Sequence, residues 1–312
     1  MNGLTPIRRW LAMFGLLLLS VSESGAITIV NLNGAAHHRF DGGFPGAPVE
    51  STNGSFVGAG YDWSGVGWAA TNSTKFFTMI NDTQFVHARH SSFSNGSIVH
   101  FNSPTNGLVS YTVGSAMDIS NPLTGVIGDL RITSLATPLD PLDEIATYPI
   151  LALGPAGGGL PVGLSSYIGL SLLATGHNSV GNNQRVGTNE LDSFAFLDLY
   201  NGGVGGMDGT LDTIGFITDQ DPGVTGQTQA VSGDSGSPTF VPWDDGQLGL
   251  VGFHTSVGTT TEGLPATFDT FVPAYLDRLT AAGVDFEVIP EPSRAMLLLV
   301  GVGSVIMRRW RR

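Results

Sequence analysis

Three short strings in this 312-residue chain carry side chains that could do chemistry together. In "VSGDSGSPTF" (231–240), Ser235 stands between two glycines, with Asp234 before it and Ser237-Pro238 close behind. A serine hydroxyl is a weak nucleophile near neutral pH and needs a base to take its proton. On a backbone bend, the N–H groups of Gly233 and Ser235 could face the oxyanion formed by its attack. Gly233 has no Cβ, so its peptide can take the required orientation. "FVHARHSS" (85–92) offers two candidate bases, His87 and His90, at the end of an apolar run. "GDLRITSLATPL" (128–139) offers Asp129, a carboxylate able to fix an imidazole tautomer. Each string also has a plainer reading. Gly, Asp, Ser and Pro are turn residues, and a chain with 44 glycines produces such strings by chance. Two histidines can simply sit at a strand end on the surface, and a lone aspartate can simply start a strand. H-x-x-H on a strand lacks the helical glutamate of a zinc-peptidase site, so no metal is expected.

These residues must be positioned by β-structure, because strand signals dominate. "SFVGAGYDWSGVGWAA" (55–70) alternates apolar and small residues, and "KFFTMI", "TQFVHA", "GSIVHF" and "LVSYTVGS" follow between turn residues. Further runs are "DLRITSLA" (129–136), "SSYIGLSLLATG" (165–176), "TIGFIT" (213–218), "SPTFVPW" (237–243) and "QLGLVGFHT" (247–255). Short strands at this spacing predict an all-β sandwich or barrel. One helix is predicted, over "VPAYLDRLTAAG" (272–283), stopped by Gly283. "GPAGGGLPVG" (154–163) and "YNGGVGGMDG" (200–209) read as loops, and no repeat of fixed period is present.

Both ends look like processed apolar segments. Residues 1–26 have Arg8 and Arg9, an apolar run and small residues up to Ala26. That is the layout of a secretory signal peptide, too short for a spanning helix of ~20 residues. Residues 290–312 have a Pro-Glu-Pro breaker, the stretch "AMLLLVGVGSVIM" and a closing "RRWRR". This order describes a membrane stop with a cytoplasmic basic end, which a plain C-terminal anchor would also show. It resembles the PEP-CTERM sorting signal of Gram-negative bacteria, which implies handling by signal peptidase and an exosortase-type enzyme. Export to the cell surface or extracellular matrix is the matching expectation.

The body between them, residues 27–289, loses seven of the 13 basic residues and two of the 26 acidic ones. Six basic side chains then face 24 acidic ones, a net charge of about −18. Nucleic-acid binding is excluded on that balance, since phosphate contacts need a basic surface. The chain has no cysteine, which excludes disulfides, zinc–thiolate sites and cysteine nucleophiles.

The order His, Asp, Ser, with the long gap before the serine, is that of the chymotrypsin-like serine peptidases. "FVHARH" resembles the strand that delivers that family's histidine. Ala88 takes the small core position two before His90, and Arg89 stands where alanine is usual. "DLRITSLATPL" resembles its Asp-led strand, and "SGDSGSP" matches its nucleophile string with Ser237 where glycine is commoner. The resemblance spans roughly residues 55–280 and implies a two-barrel fold with His90, Asp129 and Ser235 as catalytic residues. It further implies Gly233 and Ser235 as the oxyanion hole, a protein or peptide substrate, and no cofactor. The rival G-x-S-x-G pattern of α/β-hydrolases fails, because Ser237 stands where its second glycine belongs and strand, not helix, follows.

The same resemblance puts Gln229, Gly252 and His254 at the specificity pocket. Without a carboxylate at Gln229, a preference for Arg or Lys lacks its counter-charge. "GFHT" (252–255) is similar to the Gly-Ile-His of glutamyl endopeptidases, although His254 also reads as a packed strand residue and Ala230 is not the hydroxyl residue those enzymes favour nearby. Asp234, if buried, needs a cation or N–H donors. Backbone donors, an arginine, or the amino group of a processed Ile27 are the candidates, the last requiring "NLNGAAHHRFDGGFPGAP" to wrap back around the barrel. The competing class is a catalytically inactive surface or matrix-binding protein on the same fold.

Overall fold

The computed structural model describes residues 27–153, 164–178, 183–199, 211–243 and 246–290. The expected signal segment, the sorting segment beyond Pro290 and both glycine-rich loops lie outside these residues. Among the described residues the only α-helices are Gly34–His37 and Leu276–Ala281, so the fold is all-β with a short C-terminal helix. None of the described helices is long and apolar enough to cross a membrane.

Six strands close an antiparallel barrel: β1 (Val66–Ala69), β2 (Asn72–Met79), β3 (Gln84–Ala88), β4 (Ile98–Ser103), β5 (Gly107–Ser120) and β6 (Ile127–Leu135). Their order around the barrel is β1-β2-β3-β6-β5-β4, and closure leaves no free edge. The barrel is filled by Phe77, Met79, Phe85, Val99, Phe101, Val113 and Leu135.

A nine-stranded sheet packs beside it. Its main path uses β7 (Ser171–His177), β8 (Gln184–Glu190), β9 (Ser193–Leu197), β10 (Thr213–Asp219), β11 (Pro238–Pro242), β12 (Leu248–Thr259) and β13 (Pro265–Phe271). The spatial order is β8-β7-β11-β12-β13-β10-β9, and the short strands Ile150–Ala152 and Val288–Pro290 complete the sheet.

The two units share one core. Successive side chains on a strand point to opposite faces, and β3 is buried on both. Phe85 faces the barrel interior, while Val86 and Ala88 join Leu130 and Ile132 in a cluster with Phe216, Phe240, Leu250 and Phe271 of the nine-stranded sheet. Each such fully buried side chain contributes about 1.5–3 kcal/mol relative to exposure. The contact therefore fixes the end of β3 against the sheet that carries Ser235.

Two expected strands come out shorter. In 55–70 only Val66–Ala69 is strand. The residues before it form turns, with Ser64 N donating to Asp62 Oδ1 at 2.8 Å and Trp63 Nε1 donating to the Gly58 carbonyl at 2.8 Å. In 165–176 the strand begins only at Ser171, because Gly169 adopts φ +81° and breaks the run. The expected C-terminal helix splits into a 3-10 turn, Val272–Tyr275, and the α-helix Leu276–Ala281.

Candidate active site

His90 and Asp129 are brought together by strand register. β3 and β6 pair antiparallel with Ala88 opposite Leu130, so the chain leaving β3 runs beside Asp129, and the turn that follows brings His90, two residues on, to its carboxylate. β3 ends at Ala88, which is fully buried, and the chain turns into a 3-10 segment, Arg89–Ser91. His90 Nδ1 lies 2.8 and 3.0 Å from the two Asp129 carboxylate oxygens, and the His90 backbone N–H donates to Oδ1 at 3.0 Å. Two acceptors at Nδ1 place the hydrogen there and leave Nε2 as an acceptor.

Asp129 is 1% exposed, so its charge depends on these donors. Its own N–H donates to Thr213 Oγ1 at 3.0 Å, which ties β6 to β10. Gly128 beside it has no room for a side chain, since a Cβ would lie 2.8 Å from the Asp212 carbonyl.

Ser235 sits on the turn between the short strand Thr228–Gln229 and β11. The turn is pinned to β12 by Gly236 N donating to the His254 carbonyl and His254 N donating to the Ser237 carbonyl, both at 2.9 Å. It also presses on the barrel: Gly236 adopts φ +90°, and a Cβ there would lie 2.8 Å from the Phe76 carbonyl and 3.6 Å from His87 Cβ. That close approach delivers Ser235 Oγ to 2.7 Å from His90 Nε2. The hydroxyl donates to the imidazole, the imidazole donates to the carboxylate, and the three expected residues form one hydrogen-bonded chain.

Gly233 has φ +105°, a conformation that favours glycine. Among the described residues, neither the Gly233 nor the Ser235 N–H donates to another protein group. Both amides are thus available to a developing oxyanion beside Ser235.

His87 points elsewhere. It is fully buried, with Nδ1–H donating to the Ala88 carbonyl at 2.8 Å and Nε2 accepting from the Thr133 hydroxyl at 2.9 Å. Burial pushes its pKa down to about 3, so it stays neutral at ordinary pH. His90 has its pKa raised above 6.5. Burial opposes its charge, but the hydrogen bond and charge of Asp129 outweigh burial and the repulsion from Lys75. Arg89 is engaged by Asp118, its Nε 2.8 Å from Oδ2, and Asp118 also binds Arg131.

The three expected pocket residues are each engaged or packed within the protein. Gln229 is partly buried, its Nε2 3.5 Å from the Gly258 carbonyl. Gly252 is packed within the sheet, where a Cβ would lie 2.6 Å from the Phe216 ring. His254 is buried with both ring nitrogens taken, Nδ1 by Asp269 at 2.6 Å and Nε2 by the Thr175 carbonyl at 2.7 Å. Asp269 also accepts from Thr239. Both partners of His254 are acceptors, so both ring nitrogens donate. Burial works against the resulting charge, yet Asp269, Asp234 and the Thr175 carbonyl together raise its pKa. His254 therefore has no free donor for a substrate carboxylate, as in the packed-strand reading.

Three supporting residues were not singled out from the sequence: Thr213, Asp269 and His177. No local string marks them, since each acts through a partner more than a dozen residues away. Among the described residues no cluster of three or more His, Asp or Glu side chains could hold a metal ion. Neither a scan against protein-family models nor a search of curated proteins finds a match for this chain.

Proposed function

We propose that this chain is an exported serine endopeptidase with a chymotrypsin-like two-barrel fold, the nine-stranded sheet forming the second barrel. The observation that carries this reading is the Ser235–His90–Asp129 hydrogen-bonded chain beside two unengaged amides. In acyl transfer, Ser235 Oγ attacks the scissile carbonyl carbon while His90 Nε2 takes its proton. Asp129 stabilises the imidazolium that forms. The Gly233 and Ser235 N–H groups stabilise the oxyanion, and one such donor is typically worth about 3 kcal/mol in the barrier. His90 then protonates the leaving amine, the C–N bond breaks, and an acyl–Ser235 ester remains. Water activated by His90 hydrolyses that ester and restores the serine.

The substrate is a protein or peptide without a required basic residue at the cleaved bond, because no carboxylate stands at Gln229. The terminal segments fit export by signal peptidase and sorting by an exosortase-type enzyme, with transient membrane association on the way to the surface of a Gram-negative cell. The test is hydrolysis of a denatured protein by the purified full chain, in chelator. Peptide release blocked by a serine-directed sulfonyl fluoride is the expected result. Intact substrate after prolonged incubation with folded protein would overturn the reading.

The pH dependence follows from His90. Only the neutral imidazole can accept the serine proton, so kcat/KM should fall about tenfold per pH unit below its pKa. The raised pKa places the midpoint of that acid limb above 6.5. A pH profile of kcat/KM reads it directly, and a midpoint well below 6.5 would contradict the Asp129 interaction.

A further inference from the structure

We propose that His177 is a positioning residue for the oxyanion amides, acting through Asp234; the inference rests on the acyl-transfer reading above. Asp234 is fully buried in the turn, between Gly233 and Ser235. Its carboxylate receives three hydrogen bonds: Val231 N to Oδ2 at 2.9 Å, His177 N to Oδ1 at 2.8 Å and His177 Nδ1 to Oδ1 at 2.5 Å. Two of the three come from His177. Taking away a donor from a buried carboxylate leaves its charge under-compensated, and the surrounding loop must move to solvate it.

His177 also touches the other side of the amide pair. A Cβ on Gly233 would lie 2.9 Å from His177 Cε1, so the imidazole forms the floor beneath the Gly233 backbone. One ring thus supports Gly233 by contact and holds Asp234, whose carbonyl belongs to the Ser235 peptide unit, by hydrogen bond. His177 itself is firmly placed. It closes β7 opposite Gln184, is 3% exposed, and its carbonyl accepts the Ile27 N–H at 3.0 Å. Arg185 and His254 are further charged or titratable groups near this pocket, and both sense the Asp234 charge. No hydrogen bond joins His177 to Ser235 or His90, so it has no part in proton transfer to or from the serine.

The test compares His177→Leu, His177→Asn and His177→Gln in the full chain. The amide of Asn donates from the place of the imidazole Nδ1, and that of Gln from the place of Nε2. The Leu and Gln variants should lose tenfold or more in kcat with KM within about threefold of the parent, because oxyanion donors act mainly in the transition state. Their affinity for a peptide aldehyde, which forms a tetrahedral adduct, should fall in parallel. The Asn variant should recover most of kcat and of aldehyde affinity. If His177→Leu does not fold, the Asn and Gln variants decide. Equal kcat in Asn and Gln variants, or a Leu variant that folds and keeps kcat within threefold, would overturn the inference. A parent protein with no turnover would instead overturn the acyl-transfer reading itself, which keeps the two failures apart.

Discussion

Replacing Ser235 by alanine is expected to leave the protein folded and to lower kcat on the order of a millionfold, since triad members act as a unit. The change removes one oxygen from a turn that is otherwise held by backbone bonds from Gly236 and His254 to each other's strands and by Asp234 beneath it. None of those bonds uses the serine hydroxyl, so the thermal midpoint should barely move. What remains after the loss is the environment without the nucleophile: an imidazole fixed by Asp129 and two amides. Substrate affinity should persist. Substantial residual turnover in Ser235→Ala, with clean material, would sink the assignment of the nucleophile.

Asp129→Asn is expected to cost roughly four orders of magnitude in kcat. The carboxylate accepts from both His90 Nδ1 and the His90 backbone N–H. An asparagine amide turned to keep the backbone bond presents its NH2 to Nδ1, which forces the ring hydrogen onto Nε2. That tautomer cannot accept the Ser235 proton. The raised His90 pKa should also drop back, since the hydrogen bond and charge of Asp129 are what raise it. The measurement is kcat across pH, where the variant should show a low plateau and an acid limb shifted downward. Loss at Asp140 or Asp143 with Asp129→Asn unaffected would mean that another strand supplies the carboxylate. Asp140 already caps the 3-10 turn Pro141–Asp143, and Asp143 binds Tyr111, so both are otherwise engaged.

The three residues of the hydrogen-bonded chain were legible in the sequence because they sit on short strings with strong local character. Strand β3 ends two residues before His90, the Asp129 strand is β-branched and apolar, and the serine turn needs positive φ at Gly233 and Gly236. Strands β8 and β9 were not legible. Gln184 on one face and Arg185 and Asn189 on the other make β8 polar on both sides, and the reason lies far away: Gln184 Oε1 accepts from Arg39, and Asn189 donates to the Thr228 carbonyl. Local alternation cannot reveal a polar strand that is satisfied by distant partners. Asp234 does receive the expected backbone donors, Val231 N and His177 N, but the same limit hid the His177 imidazole that joins them. The segment from Asn31 to Pro48 reads as loop, yet it does wrap. Arg39 is buried against Val66 and Gln184, and Ile27 ends fully buried at the His177 carbonyl.

The most direct test of an activated serine is covalent labelling by a fluorophosphonate, followed by mass mapping of the adduct. The reagent forms a bond from Oγ to phosphorus as fluoride leaves, and only a serine with a poised base reacts quickly. The folded protein should take up one equivalent, on the peptide containing Ser235. The rate should rise with pH through the His90 titration, and labelling should vanish on denaturation and in Ser235→Ala. A folded protein that takes up no label, or takes it up at a residue other than Ser235, would contradict the account.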